Sequence, residues 1–272
     1  MPAAACIAVL PLARADEPVA LDLSRELGCD LLRSGTDPAR YTEKPLLLQV
    51  DGGRLALQLT GRRAPGPVWV DFGAGEMRHR RSGGHNELLG RAVGVGKKSP
   101  LGVVDATAGL GRDSFVLADL GCRVLLCERH RVVQQLLRSG LRRAAAGDTW
   151  LAAVSARMQL HCGDARDLAP RDLSGVDVIY LDPMFPRRRK SAAVKKEMVV
   201  FQLLLGERAA DGGEELLAWA LRQAVARVVV KRPPGAAELG GHRASHAIAG
   251  KAVRFDVYVM RALGDEASPA SG

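Results

Sequence analysis

Membrane-length apolar runs, C-x-x-C cysteine pairs and a full set of metal-spaced ligands are all missing from this chain of 272 residues. No uncharged apolar stretch reaches the length of about 18 residues that a membrane-crossing helix needs. The N-terminal run Ala3-Ala4-Ala5-Cys6-Ile7-Ala8-Val9-Leu10 lacks the basic flank of a signal peptide. It is expected to form a first strand of a cytoplasmic protein. The five cysteines, at 6, 29, 122, 127 and 162, are odd in number and form no C-x-x-C pair. A disulfide framework and a zinc cage are thereby disfavoured, and the thiols are expected as small buried apolar groups in a reducing compartment. Of the six histidines only His242 and His246 share H-x-x-x-H spacing, in a glycine-rich stretch with no third ligand nearby, so no metal is expected. No internal repeat is present.

What remains is the composition of a folded enzyme-sized domain. Apolar residues make up 47% and charged residues 25%, which excludes disordered and fibrous classes. The length fits one large α/β domain with an added segment. Lys and Arg outnumber Asp and Glu 39 to 30, a formal charge of +9, which points to a polyanionic partner. The basic residues cluster at 78–81, 187–190, 195–196 and 231–232, each following a predicted strand or flanking a motif.

The chain is organised around residues 103–128. Val103-Val104-Asp105 reads as a buried strand, Gly109 and Gly111 as a tight turn, and Phe115, Val116, Leu117, Ala118 and Leu120 as the inner face of a helix closed by Gly121. A second strand, 122–127, ends in Glu128, where folds of this kind hydrogen-bond the hydroxyls of a ribose. The glycine spacing argues against a dinucleotide, because Gly109-Leu110-Gly111-Arg112-Asp113-Ser114 lacks the third glycine of G-x-G-x-x-G. Asp113 at the helix start would repel a phosphate but accept a cation. A pocket of Asp105, Asp113 and Glu128 therefore fits S-adenosylmethionine, with its sulfonium, ammonium and ribose, better than NAD.

In chain order, residues 1–98 are expected to form a small α+β segment that contacts or covers substrate. It holds a strand at 7–10, a helix at 15–32, and a hairpin of 45–50 and 54–59 around Asp51-Gly52-Gly53. The run Val68 to Gly75 imitates the glycine turn but is followed by the basic stretch Arg78-His79-Arg80-Arg81, not by an amphipathic helix, so it is read as a loop leading to a helix at 86–93. The glycine- and lysine-rich run 94–100 marks the expected boundary with the main domain, 99–272. There, helices are predicted at 132–146, 149–156, 197–205 and 214–226, and strands at 158–162, 176–181 and 227–234. A closing pair, 246–249 and 251–260, should alternate Phe255, Val257 and Val259 against Asp256 and Tyr258. Asp164, after the third strand, is a candidate adenine contact.

The sharpest signal is Asp182-Pro183-Met184-Phe185-Pro186 at the end of the fourth strand. In open parallel sheets ligands bind beyond the strand C-termini, at the switch point beside strand one. There Asp182 and the Pro183 carbonyl offer acceptors to an exocyclic amine, and Phe185 offers a ring on which a planar base stacks. Arg187, Arg188, Arg189, Lys190, Lys195 and Lys196 follow at once and suit the phosphates flanking a splayed nucleotide.

These residues together with Glu128-Arg129, Lys190-Ser191-Ala192, Val194-Lys195-Lys196-Glu197-Met198, Val228-Val229-Val230-Lys231-Arg232-Pro233 and Arg254-Phe255-Asp256-Val257-Tyr258 resemble the bacterial 16S ribosomal RNA guanine-N2-methyltransferase J family, over about residues 66 to 260. The resemblance implies a Rossmann-like class I methyltransferase fold, α/β with a seven-stranded, mostly parallel sheet. It also implies S-adenosylmethionine as cofactor and methyl transfer to the N2 amine of a guanine in 16S ribosomal RNA, free or in the small ribosomal subunit. By match, cofactor contacts carry over to Arg112, Asp113, Glu128, Arg129, Asp164, Ala165 and Asp182, alongside Asp105 and Gly109 from the turn itself. The third place of the Asp-Pro-Met-Phe loop is Met184 where amino-methyltransferases at large favour proline. The residues alone leave open adenine N6 or a protein amide as the amine, a nicotinamide-dependent oxidoreductase, and a non-catalytic RNA-binding module.

Overall fold

The computed structural model describes residues 6–75, 77–78, 87–183, 196–206 and 212–264. In chain order its elements are β1 (Ile7–Pro11), α1 (Glu17–Leu27), β2 (Asp30–Leu31), β3 (Leu46–Asp51), β4 (Arg54–Leu59) and α2 (Glu87–Val93). Then come β5 (Gly102–Asp105), α3 (Arg112–Asp119), β6 (Arg123–Glu128), α4 (Arg131–Ala145), α5 (Thr149–Ser155) and β7 (Met158–Cys162). The chain closes with β8 (Val178–Leu181), α6 (Lys196–Leu205), α7 (Gly213–Leu221), β9 (Arg227–Arg232), β10 (His246–Ala249) and β11 (Arg254–Val259). By packing, the described residues fall into two units. One is drawn from 1–71, 130–143 and 185–210, the other from 72–129, 144–184 and 211–272.

The first unit is built on a four-stranded sheet of order β2-β1-β3-β4, with β1 parallel to β2 and β3. Its hairpin is as predicted: β3 and β4 pair antiparallel in a register that sets Asp51 opposite Arg54. Gly52 and Gly53 turn between them at φ of 53° and 85°, the left-handed pair that matches strand twist. β1 is buried at every position, which is why its sequence is continuously apolar and does not alternate. α1 lays Ala20, Leu23 and Leu27 on the core, an i, i+3, i+7 stripe. It stops at Gly28, φ 66°, and not at residue 32 as expected; Asp30 and Leu31 instead pair with β1. α4 lies against the hairpin. Its Ser139 hydroxyl accepts from the Leu55 N–H at 3.1 Å and donates to the Gly53 carbonyl at 2.9 Å. A Cβ on Gly140 would stand 2.2 Å from Val70 Cγ1, so that approach requires glycine.

The second unit holds a seven-stranded sheet of order β10-β11-β9-β8-β5-β6-β7. β9, β8, β5, β6 and β7 run parallel, and β11 is antiparallel to both β9 and β10. The order reverses between β5 and β8, the switch point expected from the sequence. Val103, Val104, Leu126, Ile179, Tyr180 and Val228 to Val230 fill the centre of the sheet at 2% exposure or less.

α2 packs against β9, β10 and β11, and α4 and α6 pack with the first sheet. The glycines at 94 and 96 make a turn that contacts cross. Several expectations are corrected. β11 does not alternate, since Phe255, Asp256, Val257 and Tyr258 are all buried and Val259 is exposed. Asp256 is tolerated inside because Arg254 grips it at 2.7 and 2.9 Å. Cys162 is exposed and Cys6 half-buried, so only Cys29, Cys122 and Cys127 fit the buried reading. α7 ends at Leu221, short of residue 226. Among the described residues no helix is long and apolar enough to cross a membrane, and no group of His, Cys, Asp and Glu is arranged to hold a metal ion.

Candidate active site

Beyond β5 the chain must reverse tightly into α3. Gly109 and Gly111 do this at φ of 54° and 72°, where a side chain would be strained. The turn is closed by the Gly111 N–H on the Ala108 carbonyl at 2.7 Å and the Ala108 N–H on the Cys127 carbonyl at 3.1 Å. The Gly109 N–H donates to Glu128 Oε2 at 3.0 Å. That bond ties the acid at the tip of β6 to the turn and takes up an amide that a phosphate cradle would need.

Asp105 was expected among the cofactor contacts, but the structure turns it inward. It is 2% exposed, and its oxygens accept from the Ser114 hydroxyl at 2.5 Å and the Thr107 N–H at 3.0 Å. Burial pushes its carboxyl up to about 7 against the pull of those bonds, with the charges of Asp113 and Asp182 adding to the rise. Its place is under the turn, shaping it.

The seam between β5 and β8 continues past both strands. The Ala106 N–H donates to the Tyr180 carbonyl at 3.0 Å, and the Asp182 N–H to Thr107 Oγ1 at 2.6 Å. The Asp182 side chain stays 39% exposed at the strand tip, the position the sequence gave reason to expect. Lys231, at the tip of neighbouring β9, donates to Asp182 Oδ2 at 2.9 Å and to Asp113 Oδ2 at 2.6 Å. Asp113 also accepts from the Tyr180 hydroxyl at 2.6 Å. Burial alone would lower the Lys231 ammonium, but the two carboxylates outweigh it and hold it above its ordinary value. Tyr180 is driven well above the usual phenol range by burial and then by the surrounding carboxylates. Asp113 is therefore no bare anion at the helix start, as the sequence had implied, but half of a partly buried ion pair.

Asp164 follows β7 and caps a short turn, accepting from the Arg166 N–H at 3.0 Å and from its guanidinium at 2.9 and 2.8 Å. Those bonds hold its carboxyl below the usual range. Arg129 approaches the same carboxylate at 4.0 Å. Ala165 is 1% exposed, so its side chain points inside. Arg112 is half-buried at the first position of α3. Pro183 is buried, and Gly213 approaches it so closely that an added Cβ would lie 3.1 Å from Pro183 Cβ. Phe185, Arg187, Arg188, Arg189, Lys190 and Lys195 lie outside the described residues, and of Lys196 only the backbone, at the start of α6, is described.

Sequence reasoning assigned no site role to Lys231, Thr107, Tyr180 or Ser114. Each lies in or beside a quoted motif. The available signal was a charge directly after three buried valines, at the end of a strand beside β8.

Carboxylates thus end or follow every parallel strand from β5 to β8: Asp105, Glu128, Asp164 and Asp182, with Asp113 in the first turn of α3. Asp105 is turned inward, but Glu128, Asp164, Asp182 and Asp113 suit a ligand with cationic groups and ribose hydroxyls, and the engaged Gly109 amide disfavours a pyrophosphate. The residues present therefore fit S-adenosylmethionine.

Comparison with known proteins agrees. A SAM-dependent methyltransferase family model matches residues 37–260. The ribosomal RNA small subunit methyltransferase J of Hahella chejuensis is 48% identical over 244 residues, covering 88% of this chain and 90% of that protein. The protein of the same name from Marinobacter nauticus is 47% identical over 253 residues, covering 92% and 90%. The crystal structure of a SAM-dependent methyltransferase from Neisseria gonorrhoeae matches with a TM-score of 0.68 at 33% identity, over 95% of this chain and 97% of that one. With its sheet order, acidic strand tips and these matches taken together, the chain belongs to the ribosomal RNA small subunit methyltransferase J family of SAM-dependent methyltransferases.

Proposed function

We propose that this protein transfers a methyl group from S-adenosylmethionine to the exocyclic N2 amine of a guanine in 16S ribosomal RNA, in the cytoplasm, on free RNA or the small subunit. The observation that carries the reading is the Asp182 carboxylate, held half-exposed at the β8 tip beside the switch point. Bound S-adenosylmethionine supplies an electrophilic methyl group on a positively charged sulfur. Glu128 would hold its ribose hydroxyls, with Gly109 allowing close approach of the turn. Arg112, Asp113, Arg129, Asp164 and the Ala165 backbone would line the rest of its site.

Guanine N2 is a weak nucleophile because its lone pair is delocalised into the ring. Acceptance of its two N–H groups by Asp182 and the Pro183 carbonyl would localise that pair, and fixed orientation would supply much of the acceleration. The methylated nitrogen is acidic, so its proton can leave to Asp182 or to water without a strong base. Phe185 is assigned to stacking on the flipped base, and Arg187, Arg188, Arg189, Lys190, Lys195 and Lys196 to its flanking phosphates. These last assignments rest on sequence.

The test is to incubate the protein and S-adenosylmethionine with small-subunit RNA from a strain lacking the gene, then map the modified nucleotide by mass spectrometry. One N2-methylguanosine is expected. N6-methyladenosine would move the reading to another planar amine, and no modification of free RNA or of intact subunits would refute it.

A further inference from the structure

Lys231 is the described group that joins the two halves of the acidic cluster, and its position follows from register. β9 pairs with β8 so that Leu181 faces Val230, which leaves Lys231 beside Asp182 one step beyond the ladder. Val228, Val229 and Val230 are fully buried, so the lysine is the first residue of the strand whose side chain can bring a charge out to the sheet edge. Its ammonium sits 2.9 Å from Asp182 Oδ2 and 2.6 Å from Asp113 Oδ2. Asp113 is braced from the other side by the Tyr180 hydroxyl at 2.6 Å. Asp182 is thus gripped twice, at its backbone N–H by Thr107 and at one carboxylate oxygen by Lys231.

The charge balance explains why a cation is needed there. Asp105 from the end of β5, Asp113 from α3 and Asp182 after β8 crowd together, with the Tyr180 hydroxyl among them, and each carboxylate repels the others. Lys231 offsets that repulsion from β9. The ionic bond to Oδ2 also restrains the Asp182 carboxylate at the strand tip.

We propose that Lys231 is a positioning residue for methyl transfer, which locks the Asp182 carboxylate in the orientation that accepts the N–H of the target amine. The inference rests on the reading of Asp182 given above. Lys231 acts here through Asp182, on the rate of the chemical step.

The experiment uses the full chain with S-adenosylmethionine and small-subunit RNA, measuring kcat, KM and cofactor affinity by calorimetry. Lys231→Met keeps the side chain's length and removes its charge. It is expected to lower kcat about 10- to 100-fold, the scale of a misplaced reacting group. Cofactor affinity should fall by less than kcat does, even though Lys231 also holds Asp113, a split that assigns most of the loss to the transition state. Lys231→Arg should restore most of the loss, and added ethylammonium should partly restore Lys231→Ala. In the double variant with Asp182→Asn, removing Lys231 should do no further harm, because the two act as one unit.

Wild-type kcat in Lys231→Met would overturn the proposal, as would a loss carried wholly by cofactor affinity. Equal loss in Lys231→Met and Lys231→Arg with no ethylammonium rescue of Lys231→Ala would also overturn it, and that comparison decides the matter even if the Met variant folds poorly. The underlying reading fails differently: Asp182→Asn alone would then keep full activity. If Asp182→Asn is inactive while Lys231→Met is normal, only the role of Lys231 is lost.

Discussion

The two sheets of this protein differ in where their most telling charges meet. In the four-stranded unit, two of the described ion pairs are local and exposed: Asp37 with Arg40 and Asp51 with Arg54 are each three positions apart, with side chains 37% to 81% exposed. In the seven-stranded unit, charges from distant parts of the chain meet at strand tips with little water around them. Asp113 and Lys231, 118 positions apart, pair there at 12% and 28% exposure. Exposed pairs contribute little to stability, whereas partly buried ones constrain geometry and shift protonation. The contrast sets exposed pairs within one stretch of chain against a partly buried pair that joins distant stretches at a strand tip.

Removing the carboxylate at the β8 tip should break the contrast most. Asp182→Ala is expected to reduce methyl transfer by about 1,000-fold or more while leaving the melting temperature nearly unchanged, as for loss of a central electrostatic group. Paired assays of methyl incorporation and thermal unfolding check this.

Asp105 gives the next largest effect, through pH. Its folded-state carboxyl is raised to about 7 from 3.8, so the folded protein keeps a proton that the unfolded chain has lost. Its contribution to stability is fully present below pH 3.8 and is lost as pH rises through about 7. Asp105→Asn cannot titrate. Denaturant unfolding of both proteins across that range should show their stability difference moving by up to roughly 4 kcal/mol in the variant's favour as pH rises. A constant difference would return Asp105 to the ordinary range.

In the first unit the sensitive position is steric, not electrostatic. Gly140→Val would drive a side chain into Val70, and a loss of about 1–3 kcal/mol on unfolding is expected. At the small end, Arg40→Ala should change stability by no more than about 0.5 kcal/mol, and by less at high salt, because both it and its partner Asp37 are largely exposed, at 81% and 52%.

These differences also decide what could be read from sequence. The hairpin at residues 46–59 was legible because both strands and the glycine pair between them are contiguous. The same holds for the β5 turn, Glu128 at the end of β6 and Asp182 at the end of β8, where strand-end position alone carries the meaning. What escaped is non-local. Nothing in residues 131–145 announces that Ser139 will bridge Leu55 and Gly53 and bring α4 against the hairpin. The inward turn of Asp105 depends on Ser114, nine positions on, and on burial that a strand-end aspartate does not advertise. Lys231 looked like part of a basic cluster because its two acidic partners lie 49 and 118 positions away.

The most direct measurement follows radiolabelled methyl from S-adenosylmethionine into small-subunit RNA, with the wild-type protein and Asp182→Asn side by side. Label on a guanine N2 amine with wild type, and almost none with a folded, cofactor-binding Asp182→Asn, is the expected result. Label at the same position and rate with Asp182→Asn would contradict the central role of that carboxylate.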